Sequence, residues 1–181
     1  SLHDALPISQ FASLSTTAIS GLTPAQLAGF TSTQFQVIKS TEFNALTTAN
    51  IAGLSSTQLS GLPPTTIAGI TANVFARLTS TQLGGLTTTQ IRSLSAGDFS
   101  VLTASQLDGF SAAQFAGLST SQVSHLNTTL VQALNTAQLN GLTTTQVRAL
   151  TTTQIVVLSS VQIAGLLTTQ MPEYWQQYRQ R

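Results

Sequence analysis

Thr23-Pro24-Ala25-Gln26-Leu27-Ala28-Gly29-Phe30 is one eight-residue unit, and copies of it fill the chain. Clear later copies are Thr87–Leu94 (TTTQIRSL), Ser111–Leu118 (SAAQFAGL) and Thr143–Leu150 (TTTQVRAL). With Thr23 as position one, position eight runs from Leu14 to Leu166, and every occupant is Leu, Ile or Phe. Position five runs from Phe11 to Met171, and every occupant is apolar. No insertion breaks either series. A fixed short period of this kind is the signature of a repeat array.

Each position of the octad has a physical reading. Position one is Ser or Thr in most copies, with Asn127 and Asn135 among the exceptions, and these are favoured helix N-caps. Position four is usually Gln. Ser/Thr-x-x-Gln is a capping box, in which the hydroxyl accepts from the N3 amide and the Gln reaches back to the N-cap amide. The pairs Thr23/Gln26, Thr87/Gln90 and Thr143/Gln146 represent it. Pro24 and Pro64 fall at position two, the first helical residue, where proline is best tolerated. The apolar residue at position eight precedes the next N-cap and is placed to staple onto position five of the following octad, as Leu22 does with Leu27. Position seven is often Gly, which suits a helix C-terminus. Val37, Arg77 and Val157 also occupy it, so a positive φ is not obligatory there.

The octad therefore predicts an all-α solenoid, one very short capped helix per repeat. A single continuous helix fits poorly, because eight residues at 100° each rotate the apolar face by ~80° per repeat. A β-solenoid is the alternative, since Thr and β-branched residues are plentiful. Against it, residues three apart point to opposite faces of a strand. A helix this short is unstable alone in water. Stacked octads are expected to bury Leu22, Leu27, Phe35, Leu86, Ile91, Phe115, Leu142 and Val147 in a continuous core, with Thr, Ser and Gln outside. Two buried apolar residues per octad, at ~1.5–3 kcal/mol each, offset only part of the ordering cost, so many octads are needed. The recurrence of QLxG and QIAG hints at three or four octads per turn.

The L-T-T-x-Q-[IVL]-x-x pattern, as in Leu86–Ser93 and Leu142–Ala149, resembles octapeptide repeats of very large bacterial exported or surface proteins, often labelled adhesin-like or haem-utilisation-like. The resemblance covers about residues 10–171. It implies a spacer or stalk beside other domains, at the cell surface or outside the cell. It carries no haem site, since the stretch has no Cys, one His and one Met.

The two ends read differently. Ser1–Ile8 (SLHDALPI) resembles a translated sequencing adapter, so residues 1–8, His3 and Asp4 included, are expected to be foreign to an array at 9–171. The tail 172–181 (PEYWQQYRQR) holds the only Trp and both Tyr, and reads as a cap or a linker.

Composition points away from chemistry. Charged residues make up 6% of the chain against a typical ~25%, and the net charge of +1 gives no footprint for nucleic acid or an anionic surface. No run approaches the ~20 apolar residues of a membrane span. His125 stands without a cluster. Glu42 and Asp98 sit at the Gln position, where capping and the helix dipole explain an acid. Asp108, Arg77, Arg92 and Arg148 are scattered. No phosphate loop, nucleophile elbow or zinc spacing is present. The expectation is a non-catalytic chain with no cofactor or metal. Its partners are neighbouring repeats or flanking domains, with end-to-end self-association as a further option. The alternatives are a binding module with a Thr/Ser-rich face for carbohydrate, protein or ice, or a filament subunit.

Overall fold

A computed structural model describes residues 7–170, without the side chains of 167–169. Residues 1–6 of the leader, and the tail from 171 with the cap or linker reading attached to it, lie outside the described residues. The chain divides into two compact units, Ser1–Leu94 and Ser95–Arg181.

Among the described residues there are twenty helices and no strand, so the architecture is all-α and not a β-solenoid. The first unit contains α1 Ile8–Phe11, α2 Thr16–Ser20, α3 Pro24–Ala28, α4 Ser32–Phe35, α5 Ser40–Asn44, α6 Thr48–Gly53, α7 Ser56–Ser60, α8 Pro64–Ala68, α9 Ala72–Phe75, α10 Ser80–Gly84 and α11 Thr88–Ser93. The second contains α12 Ala96–Ser100, α13 Ala104–Leu107, α14 Ala112–Gly117, α15 Thr120–Ser124, α16 Thr128–Ala133, α17 Thr136–Gly141, α18 Thr144–Arg148, α19 Thr152–Ile155 and α20 Ser160–Thr169. Ile8, grouped by sequence with the leader, is the first residue of α1.

Nearly every helix is about one turn, opened and closed by the same few bonds. In α3 the Leu27 amide donates to the Thr23 carbonyl at 3.0 Å, and the Phe30 amide closes the turn on the Leu27 carbonyl at 3.1 Å. Position eight and the following N-cap are then extended, as in Leu142 (φ −68°, ψ 137°) and Thr143 (φ −75°, ψ 160°). Those two residues redirect the chain without any positive φ among the described residues.

Within each unit a helix packs on the third helix along. Examples are α3 on α6 and α8 on α11 in the first unit, and α14 on α17 and α17 on α20 in the second. Positions five and eight point inward. Leu27, Phe35, Ile91 and Phe115 are fully buried, with Leu86, Leu142 and Val147 nearly so. Leu22 is half-buried, because it belongs to the first turn and has no turn beneath it among the described residues. Ring contacts join the two inward positions. Phe110 and Phe115, N′ and N4 of α14, meet edge-on with centroids 6.2 Å apart, which is the hydrophobic staple in aromatic form.

The glycines at position seven mark where turns touch. A Cβ on Gly61 would stand 2.3 Å from the Ser32 carbonyl oxygen, and one on Gly141 would stand 2.4 Å from that of Ala112. A Cβ on Gly85 would press first on the Ser56 Cβ, with the Ser56 Cα at 3.0 Å and its carbonyl oxygen at 3.2 Å. Sequence reading places these glycines at helix C-termini. They do close helices, but what they supply is room for a neighbouring backbone rather than a left-handed conformation. In all three pairs the two sequence numbers differ by 29. Dividing that offset by eight gives about 3.6 octads per turn within each unit, between the three and four expected.

Candidate functional site

The recurring polar feature of the array is the glutamine at position four. One turn of helix leaves its first amides and last carbonyls without internal partners. The capping box deals with the first end. In α11, the Thr87 hydroxyl accepts from the Gln90 amide at 3.2 Å, and Gln90 Oε1 accepts from the Thr87 amide at 2.8 Å. Thr143/Gln146 and Thr23/Gln26 form the same reciprocal pair.

The side-chain nitrogen deals with the other end, but in a different octad. Gln90 Nε2 donates to the carbonyls of Leu59 at 2.8 Å and Leu62 at 2.7 Å. Gln58 does so to Leu27 and Phe30, and Gln82 to Ile51 and Leu54. In the second unit Gln146 reaches Phe115 and Leu118, and Gln154 reaches Val123 and Leu126. The separations are 31 and 28 residues each time. One amide thus caps its own helix at the N-terminus and closes the C-terminus of a helix one turn away.

Burial follows from that double duty. Gln58, Gln90, Gln146 and Gln154 are buried. The expectation that Gln lies outside with Thr and Ser is therefore corrected. It holds in the first turn, where Gln26 is exposed because no earlier described turn offers it carbonyls. Every buried side-chain nitrogen and oxygen among the described residues has a partner. Shorter donors substitute at the same slot. Asn50 Nδ2 reaches the Leu22 carbonyl at 2.8 Å, and Thr66 Oγ1 reaches that of Ile38 at 2.6 Å. A separate link comes from Asn44 at position six, which donates to the Gly69 carbonyl and accepts from the Thr71 amide.

The titratable side chains are spread out. Glu42 and Asp98 occupy the Gln slot, are buried, and accept from the Lys39 and Ser95 amides. Lys39 has no acceptor on its side chain, so α5 carries only half of a capping box. His125 is exposed at the end of α15, with Nδ1 2.8 Å from the Ser121 carbonyl oxygen. Asp108, Arg92 and Arg148 are exposed and Arg77 is half-buried, each on a different helix end. Among the described residues no group of three or more His, Cys, Asp or Glu gathers to hold a metal ion. Among the same residues no helix is long and apolar enough to cross a membrane.

The second role of Gln had a readable signal. A capping box needs only an acceptor, and the helix dipole favours Glu there. Yet Glu42 and Asp98 are the only acids at position four. The preference for an amide indicates that its donor is needed as well as its acceptor.

No curated protein and no solved structure matches the chain. Residues 128–160 match the ALTTAQ repeat family, a stretch that spans the repeating helices α16 to α19 and agrees with a repeat array.

Proposed function

We propose that the octad array is a non-catalytic spacer or stalk of an exported or surface-exposed bacterial protein, holding flanking domains apart. The observation that carries this reading is the self-sufficiency of the stack. The amide of Gln90 and its counterparts closes one turn onto another with backbone acceptors that every octad offers. Such a contact depends on no particular neighbour, so octads can be added or removed without redesigning the rest. Length is the property this construction makes easy to vary, and length is what a spacer supplies. The low charge and the short Thr, Ser and Ala side chains on its outer positions suit a passive surface.

The test is small-angle scattering on chains lengthened by whole octads inserted after Leu62. A spacer gains maximum dimension in step with the inserted octads at constant cross-section. A particle that thickens instead, or keeps its maximum dimension, contradicts the proposal.

A further inference from the structure

We infer that the joint between α9 and the turn before it is a latched seam, a preset place for the first unit to open, with Asn44 as the latch. This goes beyond the spacer reading and does not depend on it.

Three devices secure an octad in the stack, and α7 and α10 have all of them. Ser55 and Thr79 cap their helices from the hydroxyl. Gln58 and Gln82 each donate to two carbonyls of the earlier turn. Gly61 and Gly85 let the backbone close on Ser32 and Ser56. The octad of α9 has none of the three. The Thr71 side chain makes no capping bond. Position four is Val74, which is buried and has neither donor nor acceptor. Position seven is Arg77, whose Cβ and long stem fall opposite Thr48 at the same offset of 29.

The loss shows at the carbonyls that a glutamine in place of Val74 would bridge. Separations of 31 and 28 residues lead from Val74 to Phe43 and Leu46. Among the described residues the Phe43 carbonyl holds only the Leu46 amide, and the Leu46 carbonyl accepts no hydrogen bond. Leu46 is nonetheless buried. A carbonyl shielded from water without a partner favours local opening, which hydrates it.

Asn44, at position six of the α5 octad, opposes that opening. Its Nδ2 donates to the Gly69 carbonyl at 2.9 Å, and its Oδ1 accepts from the Thr71 amide at 3.0 Å. The second bond serves the N-cap amide that Gln58 and Gln82 serve in α7 and α10. One side chain thus replaces the missing capping acceptor and ties α5 to the corner between α8 and α9. Asn44 is half-buried, whereas Gln58 and Gln82 are buried. Water can replace the bonds of this latch more readily than those of the glutamines.

The test is residue-resolved native-state hydrogen exchange of the full chain by nuclear magnetic resonance. The Phe75 and Leu78 amides are compared with those of Leu59, Leu62, Leu83 and Leu86, which make the same backbone bonds in α7 and α10. Phe75 and Leu78 are expected to exchange about tenfold faster, the effect of about one lost hydrogen bond. Asn44→Ala places alanine where Ala28, Ala52 and Ala68 already stand in other octads. It is expected to speed Phe75 and Leu78 about tenfold further and to move the four comparison amides by less than about threefold. Val74→Gln supplies the bridge and is expected to bring Phe75 and Leu78 to the comparison rates. In that background Asn44→Ala is expected to lose most of its effect, because the new side chain also serves the Thr71 amide. Wild-type Phe75 and Leu78 amides that exchange no faster than the comparison set overturn the inference. So does an Asn44→Ala variant that speeds all six amides alike, or one whose effect Val74→Gln leaves undiminished. The spacer reading is decided separately, by the scattering of lengthened chains.

Discussion

Gln90→Glu separates the two duties of the glutamine slot. The substituted side chain has the same shape and keeps an oxygen for the Thr87 amide, which Gln90 Oε1 holds at 2.8 Å. It removes the nitrogen that donates to the Leu59 and Leu62 carbonyls at 2.8 and 2.7 Å. The Leu59 carbonyl keeps a second partner, the Leu62 amide, so its loss is the net value of one hydrogen bond, ~1 kcal/mol. The Leu62 carbonyl has no other partner among the described residues and is left facing a carboxylate, which costs ~1–3 kcal/mol. The total is about 2–4 kcal/mol, a large share of a typical domain's stability. Urea denaturation at pH 7, followed by far-ultraviolet circular dichroism and a second probe for the separate units, measures it. Gln26→Glu is the internal control. Gln26 is exposed and its nitrogen has no described partner, so the same exchange there is expected to move stability by less than ~0.5 kcal/mol. Equal small shifts at both positions would refute the inter-turn role of the amide, and equal large ones would assign the whole effect to the capping box.

The remaining expectations follow the same geometry. Gly141→Ala drives a Cβ to 2.4 Å from the Ala112 carbonyl oxygen and is expected to cost ~1–3 kcal/mol. Gly97→Ala, whose Cβ meets only Ser95 Oγ at 3.6 Å, is expected to be neutral or stabilising in the same urea titration. Glu42→Gln supplies a donor near the Leu14 carbonyl, which accepts no hydrogen bond among the described residues, and is expected to stabilise by ~1 kcal/mol after the lost dipole interaction is subtracted. Its midpoint should rise, and a fall counts against the proposed role of the amide. Inserting one whole octad after Leu62 should preserve helix content and cooperative unfolding. Inserting half an octad, which leaves each octad intact but breaks the stacking offset across the insertion, should keep most of the helix signal in circular dichroism while lowering the cooperativity of melting.

The octad, its caps and its core were legible because each is local. Thr87 and Gln90 are three apart, and the apolar residues at positions five and eight recur without a break. A hydroxyl that caps and a Leu that is buried require no knowledge of what lies one turn away. The glutamine nitrogen does require it. Its acceptors lie 28 and 31 residues earlier, and neither number is a multiple of eight. No comparison of one octad with the next therefore brings donor and acceptor into the same column. The role of Gly61 and Gly141 was hidden for the same reason. Each touches a backbone at an offset of 29 in sequence number, a winding of about 3.6 octads per turn that is set by packing. Gly at a helix end has a common local explanation, and here the local explanation was incomplete. The titratable residues read as scattered in the sequence, and the described structure places them on separate helix ends.

Turns that stack at a fixed offset, with Gly61 on Ser32, Gly85 on Ser56 and Gly141 on Ala112, are the central claim. Nuclear Overhauser contacts in an isotopically labelled sample measure that offset directly. Cross-peaks from the α-protons of the three glycines to those partners are expected, together with slow exchange of the Gln90 side-chain amide protons. Contacts from the same glycines to positions three or four whole octads earlier in their place, or cross-strand α-proton pairs, would contradict it.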